Sequence, residues 1–244
     1  MKGFFRRLRP VAVLAALPLC ASARTVGAWE GLYAMELRVG SIARVPVMGS
    51  QRSVTRSLLL VEMERRGGRL VQRQRVCDVA ITSPRVRMTV PAAFVHALHP
   101  REYTAEVSGG YTADPGVDYV GYDPRVTGGA LPSDARSPGV VDSDGDGEPG
   151  ATVVGHFPLV GRVRLFVAQR AHVLLRGRQV SEGRVEGGVE VLLLEQRTLG
   201  ASNRFFERTL PVRPDPGAGG FTLVRTQVAG CAELVKGART IFAR

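Results

Sequence analysis

Past its amino terminus the chain alternates apolar and polar positions with a period of two, the pattern of strands that bury one face. In residues 163–175 the odd positions are apolar except Gln169, and arginine and histidine recur among the even ones. Residues 177–183 read as a turn, after which Val185, Val189, Val191 and Leu193 resume the odd face with Glu186 and Glu190 turned away. That arrangement predicts a long antiparallel hairpin with one wet face. Residues 32–47 predict a strand with Tyr33, Met35, Leu37 and Val39 on one side; 58–64 predict a second, and Gly67-Gly68 turns into a third at 70–81. Further strands are expected at 103–107, 152–157, 205–212 and 221–228, and residues 91–98 alone read as helical, Pro91 suiting a first helical position. Eight or nine strands with one short helix predict an all-β fold, either a closed antiparallel barrel or a sandwich.

The amino terminus follows a different rule. Met1 to Arg9 is basic without an acid, residues 11–20 are apolar, and Ala21-Ser22-Ala23 is a small-residue cleavage site. This is the order of a secretory signal peptide, and the apolar run is shorter than the roughly 20 residues that span a bilayer. The expectation is a signal at 1–23 and a single β-rich domain at 24–244, exported to the periplasm or beyond. Leu17-Pro18-Leu19-Cys20 also resembles a lipobox, although Leu19 stands where that motif takes a small residue. Lipidation at Cys20 would make the domain membrane-anchored instead of free.

The chain carries a net charge of +11; removing 1–23 takes away Lys2, Arg6, Arg7 and Arg9 and leaves +7. The positive charge is nearly all arginine, without a zinc-finger spacing, an aromatic strip or a basic helix, so nucleic acid is not expected as a partner. A membrane-spanning barrel is disfavoured too: aromatic residues are few, and arginine recurs on the outer face of 163–175. After cleavage two cysteines remain, Cys77 and Cys231, and an exported chain with an even number predicts a disulfide between them. That bond would place the last strand beside an early one, as closing a barrel or sandwich requires.

Residues 109–150 break the pattern: they are rich in Gly, Pro and Asp, include Tyr111, Tyr119 and Tyr122, and carry −6, which leaves +13 on the rest of the mature chain. A long irregular loop docked on an arginine surface is expected. Within it, Asp142-Ser143-Asp144-Gly145-Asp146-Gly147-Glu148 places alternate carboxylates on a tight turn, the arrangement that converges on one hard cation. The segment resembles an EF-hand loop over seven residues, but Val153 stands at the twelfth position. With a strand following, it looks more like the DxDGDG loops of FG-GAP propeller blades, although Gly150 replaces their acid at the ninth position. The resemblance implies a structural calcium held by Asp142, Asp144 and Asp146 with the carbonyl of Glu148, at dissociation constants of roughly 10⁻⁴–10⁻³ M.

No catalytic motif is found: there is no G-x-S-x-G elbow or phosphate-binding glycine loop, and His96 and His99 lack a third ligand. His156 and His172 read as strand residues, and the acid pairs Glu62/Glu64 and Glu186/Glu190 face solvent. Gly27-Ala28-Trp29, followed by Gly31-Leu32-Tyr33, resembles the G-x-W opening of lipocalin-type barrels. That resemblance implies a small apolar molecule held inside the barrel, with Gln169, Glu195 and Gln196 as polar groups near it. The chain as a whole is similar to exported β-rich proteins of bacteria with GC-rich genomes, which brings no function with it. The expectation is an exported, calcium-stabilised, non-enzymatic binding module of the cell envelope, its ligand a small molecule or an envelope component. The alternative is a structural or adhesive surface lipoprotein acting through residues 109–150.

Overall fold

The structure, a computed structural model, describes residues 29–45 and 48–243. The segment 1–23 with Cys20 lies outside those residues, as do Gly27 and Ala28. Among the described residues twelve strands join in one sheet: β1 (Gly31–Val45), β2 (Gly49–Arg66), β3 (Arg69–Thr82), β4 (Arg87–Thr89), β5 (Arg101–Glu106) and β6 (Tyr111–Ala113) come first. They are followed by β7 (Val117–Val120), β8 (Ala151–Phe157), β9 (Gly161–Ser181), β10 (Arg184–Ala201), β11 (Val212–Pro214) and β12 (Gly220–Arg225). Helices α1 (Ala92–Ala97), α2 (Pro124–Thr127) and α3 (Cys231–Ile241) complete the fold.

β1, β2, β3, β5, β6, β9, β10 and β12 each pair antiparallel with the next in that order, and β12 pairs back to β1. The result is a ring of strands in chain order. β7 and β8 extend β9 on its β6 side, β4 adds to β8, and β11 continues along β1. Inward side chains fill one end of the ring around Tyr33, Met35, Val61, Tyr111, Phe221 and Leu223. Trp29 packs against that end, its ring stacked on Tyr111 at 6.2 Å between centroids. The outward faces carry charge, as in the Arg56–Glu36 pair at 2.5 Å and the Arg170–Glu195 pair at 2.7 Å.

Bulges decide which residue faces in. In β3 the partners of Leu58 and Leu59 are Asp78 and Val76, so Cys77 is the extra residue, and Val79 and Ile81 take over the inner face from Gln74 and Val76. Cys77 thereby faces α3, and it bonds Cys231, with the two Cα atoms 5.0 Å apart. In β10 the extra residue is Leu192, so Leu193 pairs with outward His172 and does not continue the inner face as its period predicts; Leu194 and Gln196 do.

α3 is a second departure from the expectation of one helix. Leu234 and Ala238 lie one turn apart on its buried face, against Ala34, Leu58 and Leu60 on the outer side of β1 and β2. The apolar run at 58–61 is explained by this: it is buried on both faces. The strand expected at 205–212 is also absent. There the Asn203 side chain accepts from the Phe205 N–H and starts a single 3₁₀ turn that drives Phe206 onto Phe157, 4.3 Å between ring centres. Finally, β2 begins at Gly49, ahead of the start expected at residue 58: its inward Gln51, Ser53, Thr55 and Ser57 are polar, so no apolar period marks this stretch.

Candidate functional site

Between the filled end and the β4–β8 side, the ring encloses a cavity of about 340 Å³, within the ordinary range for small-molecule sites. Its apolar wall includes Leu37 and Val39 from β1, Leu59 from β2, Val76 from β3, and Val173 and Leu175 from β9. Met88, Phe157, Leu165 and Val212 face it from the opposite side. These residues are inward by strand alternation, and many are only half-buried because their open surface is the cavity.

The polar groups on this wall divide into satisfied and free. Ser41 and Ser53 hydroxyls bond each other at 3.0 Å, and Gln51 Nε2 donates to the Met48 carbonyl at 2.7 Å. Gln74 Oε1 accepts from the Tyr103 hydroxyl at 2.8 Å. Gln169 and Gln196 stand directly opposite each other across β9 and β10, both facing the cavity, and neither amide has a hydrogen-bond partner among the described residues. Glu195, expected beside them, points outward to Arg170. Ser83 Oγ is buried at the cavity wall without a partner among the described residues.

An opening leads into the cavity from the side. β3 pairs with β5 only over Leu70 to Gln74, and β7 pairs with β9, so the remaining length of β3 faces β7 across a gap. Phe94 and Leu98, from α1 and the residue that ends it, line this gap and the cavity together with Val76, Arg101, Asp118 and Val120. Arg101 is locked in place: Nη2 donates to the Pro115 and Val117 carbonyls, and Nη1 lies 3.7 Å from Asp118. Half of the Asp118 side chain is open, but it opens onto the cavity and the cleft outside it. Loss of hydration among these walls raises its pKa above 3.8, while the Arg101 charge and the Tyr119 backbone N–H pull the other way. Arg101, Asp118 and the α1 residues were not legible as site residues. The one signal was an acid inside the short apolar run at 117–120.

Residues 109–150 are less irregular than their composition predicts. β6 and β7 belong to the wall, and the remainder packs on the outer face of β9 and β10. Tyr122, Leu131 and Val140 meet Phe166, Ala168 and the bulged Leu199 there, and Arg170 Nη1 donates to the Gly129 carbonyl at 2.8 Å. The segment is held there mainly by this apolar seam, with Arg164 and Arg170 of β9 contacting it through Glu148 and Gly129.

Asp142, Asp144 and Asp146 each bring one carboxylate oxygen within 4.8 Å of the others. Gly147 adopts φ 84°, the left-handed bend that the turn requires. Asp142 Oδ1 accepts from Gly145 and Asp146 N–H (2.7 and 3.2 Å) and Oδ2 from Gly147 N–H (2.8 Å), which lowers its pKa. Asp144 Oδ2 accepts from Thr152 N–H at 2.9 Å, and Asp146 Oδ2 from the Thr152 hydroxyl at 2.7 Å. Asp144 Oδ1 is buried and has no partner among the described residues; its carboxyl pKa is raised, first by desolvation and then by repulsion from Asp146 and Asp142. The Glu148 carboxylate is turned away to Arg164. The histidines do not gather into a metal group: His96 and His99 are exposed, and His172 Nε2 lies 2.6 Å from Asp114 Oδ1. No protein-family model, curated protein or solved structure matches this chain.

Proposed function

We propose that this chain is an exported, non-enzymatic binding module of the cell envelope, a lipocalin-like barrel that holds a small, largely apolar molecule inside its ring. The observation that carries this reading is the cavity of about 340 Å³ lined chiefly by Val, Leu, Ile and Met. A void of that size forfeits packing that the filled end of the same ring retains, so a ligand has contacts to regain there. The disulfide agrees with an oxidising compartment, and export itself rests on the pattern at 1–23.

Two of the tyrosines open to the adhesive alternative are taken up within the fold. Tyr111 is fully buried and Tyr122 is 4% exposed, so both are used in the protein's own packing. Calcium at Asp142, Asp144 and Asp146, with the Glu148 carbonyl, has a structural role in this account. Three converging carboxylates and the orphaned Asp144 oxygen support it, and the ion would fix the 109–150 segment against β9.

Titration with an environment-sensitive apolar dye tests the central reading. Saturable enhancement at one dye per chain is the expected outcome. A folded protein that gives no saturable signal would remove the cavity from consideration as a binding site.

A further inference from the structure

We infer that the ligand is an uncharged amphiphile, with its apolar body along the cavity wall and one hydroxyl or N–H-bearing amide group held between Gln169 and Gln196. The inference rests on the binding-barrel reading above and names the ligand class.

The amide pair comes first. Gln169 and Gln196 are direct cross-strand partners on the inner face, so their side chains rise from the wall about 5 Å apart. Between them they offer four N–H donors and two carbonyl acceptors, none used by a described residue. Val120 flanks Gln169 on β7, and Leu194 lies next to Gln196 on the inner face of β10, so the pair is a polar island in an apolar surface. Polar groups in such a place go unmatched until something in the cavity bonds them. A group that both donates and accepts fits an amide pair better than one that only donates or only accepts.

Charge excludes the other classes. Among the residues that line the cavity the ionic ones are Arg101 and Asp118, and they face each other at 3.7 Å. Arg101 is further occupied by two carbonyls. The site thus presents no net charge, and a carboxylate or ammonium brought inside would lose its hydration without gaining a counter-ion. Asp118 lies opposite Ala171, one inward step along β9 from Gln169, so the polar end of the ligand sits on the portal side. The apolar end then runs toward Val173 and Leu175.

The test uses the oxidised mature protein and displacement of a bound apolar dye by decanol, decanoate, decylammonium and decane at neutral pH. Decanol is expected to displace the dye at least about tenfold more effectively than either ion. In the Gln169→Leu, Gln196→Leu double variant, decanol should fall to the level of decane while decane holds its own. Gln196→Glu supplies a separate arm and should turn the preference toward decylammonium. Decanoate or decylammonium matching decanol on the parent would overturn the inference, as would an undiminished decanol advantage in the double variant or an unchanged preference in Gln196→Glu. Failure of the dye itself to bind would instead refute the binding barrel, and this inference with it.

Discussion

Cutting the Cys77–Cys231 bond removes one constraint and little native contact. The two residues are 154 apart in sequence, and α3 keeps its contact with the sheet through Leu234 and Ala238 after the sulfurs are gone. Loop-closure entropy for a segment of that length stabilises the folded state by about 5 kcal/mol. For a domain of this size each kcal/mol moves the melting temperature by roughly 2–4 °C, so Cys77→Ser with Cys231→Ser should melt roughly 10–20 °C below the oxidised parent. Circular dichroism at low temperature should show the same β signal in both, because the ring does not depend on the bond. Thiol labelling of denatured, unreduced protein should find neither cysteine. A melting shift of less than about 3 °C, or labelling of both cysteines, would refute the role given to this bond.

Three further outcomes follow from particular residues. Leu234→Ala empties a fully buried position under α3 and should cost about 2–5 kcal/mol in denaturant unfolding; a cost below about 1 kcal/mol would mean that α3 does not dock there. Calcium at about 10 mM should stabilise the parent by roughly 1–3 kcal/mol if the dissociation constant is in the range of extracellular modules, and magnesium should do much less. Asp144→Ala should abolish that shift, and an unchanged shift would move the ion elsewhere. Folding raises the Asp118 pKa, so its contribution is full below the ordinary value of 3.8 and is lost as pH rises through the raised value. Asp118→Asn should therefore melt above the parent at neutral pH, with the gap closing near pH 3 (about one unit below that value), and a pH-independent difference would contradict the placement of Asp118.

Strand alternation carried most of the ring into view, because an inward face of Val, Leu and Met repeats with a period that needs no partner to be seen. It failed where inward positions are polar. Gln72 and Gln74 lie on the inner face of β3 and bond Tyr111 and Tyr103, partners 39 and 29 residues away, and no local pattern announces such a pairing. Bulges failed for a related reason. One extra residue at Cys77 or Leu192 reverses the face of everything after it, and nothing in the local alternation marks where that residue falls. Cys231, Leu234, Ala238 and Ile241 of α3 keep helical spacing, but a strand pattern at 221–228 runs almost up to Cys231 and masks the change of period. The aspartate cluster was visible because all of its members are local. The cavity was not, since Gln169, Gln196, Arg101 and Asp118 meet only once the ring has closed.

Ala171 and Leu174 separate the inner face of β9 from its outer one. Ala171 lines the cavity between Asp118 and Leu194, whereas Leu174 points out. The most direct test of the account is dye titration of Ala171→Phe beside Leu174→Phe, with folding checked by melting. Filling the cavity at Ala171 should abolish dye binding while Leu174→Phe binds as the parent does. Undiminished binding by a folded Ala171→Phe would show that the dye, and the ligand it stands for, binds somewhere other than inside the ring.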